Sequence, residues 1–237
     1  DKPFLGALVL RLPMKVGDAK WCKTTATDAK TLYYNPDYID ALSLDQTQFV
    51  LAHEALHCAL SHFARRQHRN KHRWDVACDF AINPLLVSDG LKPTPEALLL
   101  TEYDGMTAEE IYPLIAENTD QEPQDQHLYD DNDGHGEGSP PSNQHRDDDP
   151  DKIEAGNGDN RSQNNTPESG ASQPPPLTES ERESLSIQWQ QRMAGAAQQA
   201  MQAGKMGGSM ARLIDHLLQP QLPWRNMLAR YMNAIAR

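Results

Sequence analysis

His53-Glu54-Ala55-Leu56-His57 sets two imidazoles one helical turn apart with a carboxylate between them. Residues at i and i+4 share one helix face, so both rings can reach a single metal ion. Glu54 stands on the adjacent side of the same turn, where it can take a proton from a metal-activated water. This is the equipment of a zinc-dependent hydrolase, most often a peptidase. The surroundings strengthen the motif. Phe49, Val50, Ala52, Leu56, Ala59, Leu60 and Phe63 form an apolar stripe around it, and unpaired ionisable groups are costly to bury among such residues.

A catalytic zinc takes three protein ligands and leaves a position open. The third is sought nearby. An extended H-E-x-x-H-x-x-G-x-x-H is absent, because Leu60 and Phe63 occupy the required positions. His62 lies five residues beyond His57, a spacing that points it away from the metal face and suits a structural or solvated role. His68 and His72 fall in a basic connector. Asp79 is preferred, because it lies deep within an apolar stretch where a carboxylate needs a partner or a metal. Asp75 is the alternative, although a carboxylate near a helix N-terminus needs no function. Cys78 is a possible soft ligand, but a buried thiol is the commoner use.

These residues need elements to hold them. Ser43 and Gln46 have the spacing of a capping box, and Arg65 and Arg66 close the segment, so a helix is expected over residues 44–64. A second helix is expected over 74–83, ended or kinked by Pro84. A third starts at Thr107, with Thr107 and Glu110 as its cap, and Pro113 limits it. Upstream, residues 5–16, 21–27 and 31–34 read as two or three strands, antiparallel in the main, with a helical turn at 37–42. The strand ending at Tyr34 is expected beside the cleft, free to pair with an extended substrate. Downstream, a long Ala-, Gln- and Met-rich helix is expected from residue 179 to about 218. An amphipathic helix over 224–236 follows, with Trp224, Leu228 and Tyr231 on its apolar stripe.

The net charge of −12 comes entirely from residues 119–180, which hold 15 acidic and three basic side chains. Outside that segment the charges balance, so nucleic acid is not an expected partner. The acidic segment is too poor in apolar residues to offset its chain entropy, and it reads as a disordered linker. Asp131-Asn132-Asp133-Gly134 hints at a calcium loop, but no Glu closes a twelve-residue pattern. Three cysteines, Cys22, Cys58 and Cys78, with no C-x-x-C, suit buried thiols in a reducing, cytoplasmic setting. No apolar run approaches the roughly 20 residues of a membrane span. The expected organisation is a domain over 1–118, the linker or insertion over 119–180, and C-terminal helices over 181–237 that pack back on the first domain.

Thr25-Ala26-Thr27-Asp28, Leu32-Tyr33-Tyr34-Asn35-Pro36, the motif with His62, and Trp74, Ala77, Asp79 and Asn83 resemble the bacterial putative metallopeptidase domain that precedes a von Willebrand A-like domain. Leu222-Pro223-Trp224-Arg225 is similar to the segment that closes it. The resemblance implies an α+β, zincin-like fold, with a small antiparallel or mixed sheet beside the motif helix. It also implies a MoxR-type AAA+ ATPase as partner, and it marks this chain as the N-terminal portion of a longer protein. The sequence-level reading is a Zn²⁺ metallopeptidase acting on protein or peptide substrates, with His53, His57 and Asp79 as ligands and Glu54 as general base. Arg65, Tyr34 and His216 are all candidates for stabilising the oxyanion. The competing reading is a non-catalytic zinc module that serves as an adaptor for the ATPase and the A-like domain.

Overall fold

The computed structural model describes residues 2–128 and 170–214, with 209 and 213 excepted. The possible calcium loop, His216 and the helix expected over 224–236 lie outside the described residues.

The chain is α+β, a four-stranded mixed sheet with helices packed beside it. The stretch expected as a first strand instead opens as a helix, α1 (Pro3–Val9), followed by a short strand, β1 (Met14–Val16). Pro3 starts the helix, its fixed φ suiting the first turn. Phe4, Leu5 and Leu8 then share one buried face at helical spacing, which decides the matter against a strand. β2 (Thr25–Thr27) and β3 (Leu32–Tyr34) form an antiparallel hairpin, with Ala26 opposite Tyr33. β1 pairs in parallel with β3, and β4 (Gln126–His127) pairs in parallel with β2. The order is β1-β3-β2-β4. The strand ending at Tyr34 is therefore interior and has no edge to offer a substrate, which corrects that expectation.

α2 (Pro36–Ala41) leads into α3 (Leu44–Ala59), whose capping box between Ser43 and Gln46 forms as expected. The motif helix is shorter than expected. Ser61 takes a left-handed conformation, φ 54°, which ends the helix and turns the chain into α4 (His62–Arg65). α5 (Lys71–Ser88) runs through Pro84 rather than stopping there. α5 buries Trp74 to Phe80 as well as Ile82, Asn83 and Leu86, and packing on that scale outweighs one missing backbone bond. α6 (Ala108–Ile111) has the Thr107–Glu110 capping box, and Pro113 lies in the 3₁₀ turn that follows.

α7 (Glu179–Gln202) packs against α1 and α3. Its buried side chains, Leu185, Trp189, Met193, Ala196, Ala197 and Ala200, recur at three- and four-residue intervals. The Trp189 indole donates to the Ala29 carbonyl at 2.9 Å. Each large side chain in this interface contributes about 1.5–3 kcal/mol by leaving water. The same core holds the apolar back of α3, so α7 braces the motif helix from behind. All three cysteines are buried and free. Among the described residues, no helix is long and apolar enough to cross a membrane.

Candidate metal centre

α3 carries His53, Glu54 and His57 inward, and none of the three has any solvent exposure. α5 crosses α3 and sets Asp79 and Asn83, equally buried, against them. The loop before β4 adds Asp125. One ligand atom from each of His53, His57, Asp79 and Asp125 lies within 4.8 Å of the others.

The contacts can be tested against a metal's requirements. His53 Nε2 lies 3.0 Å from His57 Nε2. Asp79 Oδ1 is 3.6 Å from His53 Nε2 and 3.2 Å from His57 Nε2, and Asp125 Oδ1 is 3.6 Å from His53 Nε2. Ligand atoms about 2.0–2.1 Å from a tetrahedral zinc stand about 3.3 Å apart, so these spacings suit one such ion.

The outer contacts fix the imidazole tautomers. Asn83 Nδ2 donates to the Leu98 carbonyl at 3.0 Å, which orients its amide and turns Oδ1 toward His53. His53 Nδ1 lies 2.8 Å from that oxygen and must donate to it, which leaves Nε2 bare for a metal. His57 Nδ1 is 3.1 Å from His62 Nδ1. Burial, then the neighbouring His57, hold His62 well below the usual imidazole range, so it is neutral and can accept. A proton on His57 Nδ1, donated to His62, leaves His57 Nε2 bare as well. His62 therefore does not point away from the site. The turn at Ser61 returns it to a place behind His57, where Trp74 Nε1 holds its carbonyl at 3.2 Å.

The buried charges call for a cation. Asp79 and Asp125 are buried within the donor group, and Glu54 is buried beside it, next to His53. Among the described residues, the polar neighbours of Asp79 Oδ1 and Asp125 Oδ1 are the two ligand imidazoles themselves, and that of Glu54 is the Thr25 hydroxyl. Burial lowers His53, but Asp79, Asp125 and Glu54 outweigh it and raise the imidazole to about 9. Burial, His127 and His53 push His57 down to about 4. The carboxylates thus draw one positive charge onto the Nε2 atoms that face them, and a divalent ion answers the same demand. Burial and then Asp125 push Glu54 well above the carboxylate range, against the pull of His53, Thr25 and His127.

The remaining candidates fall elsewhere. Asp75 is not one of the four grouped donors: Lys71 donates to its Oδ2 at 2.7 Å, and His127 Nδ1 lies 2.7 Å from Oδ1. His127 Nε2 lies 3.0 Å from Asp125 Oδ2, so this imidazole is clamped between two carboxylates. They raise it well above its ordinary value despite its burial. Cys78 joins His57 and His62 in a second buried group, behind the first. Arg65 is bound to Glu109 through both its Nε and its Nη2.

Asp125 and His127 were not found by sequence reasoning. They lie in the segment assigned to the linker, yet Gln124, Asp125, His127 and Leu128 are all buried. The available signal was slight: Asp125, His127 and Leu128 sit close together ahead of the most acidic run.

No curated protein and no solved structure matches the chain. A family described as "Putative metallopeptidase domain" matches it over residues 1–237. Its sequence and its buried donor set agree with that match, and the chain belongs to this family of putative metallopeptidase domains.

Proposed function

We propose that the protein is a zinc-dependent metallopeptidase of zincin-like design. His53, His57 and Asp79 hold the ion, and Glu54 is the general base. When bound, zinc supplies Lewis-acid polarisation of a peptide carbonyl and acidifies water. The protein's own groups do the rest. Asn83 and His62 keep the ligand imidazoles in the metal-binding tautomer. Glu54 accepts a proton from the attacking water and returns it to the leaving nitrogen, as a carboxylate one residue from a ligand His on the same turn can.

Glu54 is the observation that carries this reading. It is a fully buried carboxylate beside a donor set of metal type, with the Thr25 hydroxyl as its hydrogen-bonding neighbour and no ion pair of its own among the described residues. A purely structural metal has no use for it. The test is zinc content together with peptide hydrolysis, in the parent and in Glu54→Gln. The reading requires zinc in both and hydrolysis in the parent alone.

The second reading is a non-catalytic zinc module, and Asp125 is the observation in its favour. Four protein donors close a tetrahedral site, as structural zinc sites are closed. Zinc in both proteins with hydrolysis in neither would establish it. In either case we propose a cytoplasmic protein that works with a MoxR-type AAA+ ATPase and an A-like domain, as the sequence resemblance implies.

A further inference from the structure

The metal centre is sealed, and one short segment seals it. Gln124 to Leu128 runs along the free side of β2, with Gln126 opposite Ala26 and His127 opposite Thr27. Three bonds anchor it: Leu128 N–H to the Thr27 carbonyl at 2.9 Å, the Thr24 hydroxyl to the Gln124 carbonyl at 2.9 Å, and Gln124 N–H to Asp79 Oδ2 at 3.0 Å. β2 is the strand beside the motif helix. Its Thr27 hydroxyl lies 3.6 Å from Cys58 Sγ, and its Thr25 side chain acts on Glu54. An extended chain paired with β2 must therefore pass in front of Glu54 and the ligand set. Adding a strand to an open sheet edge is a general way to bind extended peptide. Here the edge is already taken by the protein's own residues.

The occupant is weakly satisfied. The Gln124 side chain is buried and makes no short hydrogen bond among the described residues, its polar neighbour there being the Tyr38 hydroxyl, which also faces Thr94. Buried polar groups left weakly paired disfavour the arrangement that buries them. The strand itself spans two residues. Asp125, by contrast, is directed at the donor set, at the position that an open catalytic site leaves to water.

We infer that Asp125 is a fourth ligand closing the metal site, and that residues 124–128 occupy the β2 edge in place of an extended peptide substrate, which must displace them. This rests on the peptidase reading and adds to it. The substrate is an extended segment recognised through the backbone of residues 25–27, and the closing segment slows hydrolysis by the parent without abolishing it.

The test uses the Co²⁺-substituted full chain, with acetohydroxamate as a small probe of an open coordination position. Visible spectra and probe titrations are compared for the parent, Asp125→Asn and Leu128→Pro. The proline removes the Leu128–Thr27 bond and touches no ligand. Circular dichroism and metal content verify that each protein is folded and loaded. The parent should give a four-coordinate spectrum and bind the probe weakly. Both variants should bind it at least ~10-fold more tightly, because apparent affinity scales with the fraction of open protein. Should Asp125→Asn lose the metal, Leu128→Pro decides closure alone. A parent that binds the probe as tightly as the variants overturns the inference and leaves the peptidase reading intact. A gain in Asp125→Asn with none in Leu128→Pro overturns the role given to the strand. A parent that takes up no Co²⁺ overturns both readings.

Discussion

The buried centre has two walls, and they are built differently. The helical wall is α3 crossing α5. His53, Glu54, His57, Asp79 and Asn83 stand there at fixed helical offsets, on two elements held by a large apolar core. The other wall is residues 124–128. It contributes His127 from a two-residue strand and Asp125 from the residue before it, held by pairing with β2, by the bonds of Leu128 and Gln124, and by the contacts of His127 with Asp75 and of Asp125 with His53. The first wall is positioned by packing, the second by its charges. Packing is insensitive to what occupies the centre, whereas charges are not. Chemistry should therefore reside on the helical wall, and control of access on the strand wall.

The largest expected effect is on chemistry. Glu54→Gln keeps the shape of the side chain and removes its basicity. Hydrolysis should fall by at least ~100-fold, general-base catalysis being worth roughly 10²–10⁴. Zinc content should not change. Equal hydrolysis by parent and variant would take the chemistry off the helical wall. The two aspartates of α5 sharpen the point. Asp79→Ala should lower zinc occupancy well below the parent, and Asp75→Ala should not, since Asp75 is engaged with Lys71 and His127. Elemental analysis decides between them, and full zinc in Asp79→Ala would remove it as a ligand.

A smaller effect is expected one shell out. Asn83→Ala removes the acceptor that fixes the His53 tautomer, and zinc affinity should fall about 10–100-fold without loss of fold. His62→Phe should act similarly through His57. Competition with a chromophoric chelator measures both. An unchanged affinity would mean that these contacts only fill space.

The same division explains what could be read from the sequence. The helical wall was legible because helices impose a period. Ser43 with Gln46 and Thr107 with Glu110 mark helix starts by local hydrogen bonds, and Asp79 stands out in an apolar stretch. Elements whose identity depends on distant packing were not legible. α1 resembled a strand until the buried face of Phe4, Leu5 and Leu8 is seen against α3 and α7. α5 outlasts Pro84 because its neighbours hold it. His62 returns to His57 only through the left-handed turn at Ser61, a conformation no local signal announces. Asp125 and His127 lie in an acidic stretch whose average composition argues for a solvated chain. What holds them, Lys71, Asp75 and the ligand set, is at least 46 residues away in sequence.

The smallest effect expected is at the far side of the molecule, where α7 braces α3. Thr178 caps α7, accepting from Glu181 N–H, while Glu181 accepts from Thr178 N–H at 2.9 Å and from Lys30 Nζ at 2.6 Å. Thr178→Ala should cost about 1 kcal/mol of stability, the usual value of such a cap. These bonds, Lys30 first, depress Glu181 to about 2 from an ordinary 4.5. A carboxyl depressed by folding stabilises the protein above its unfolded pKa, and the contribution disappears as pH falls through the folded value. The Glu181 contribution should therefore be whole above about pH 4.5 and gone near pH 2. Its full exposure keeps the effect small. Thermal melts of the parent and Glu181→Gln across that range should differ at pH 6 and converge at the acid end. Zinc affinity should be the same in both, because the cap touches neither wall of the centre. A change in affinity would mean that bracing of α3 reaches the ligands, and that the helical wall also depends on more than its own packing.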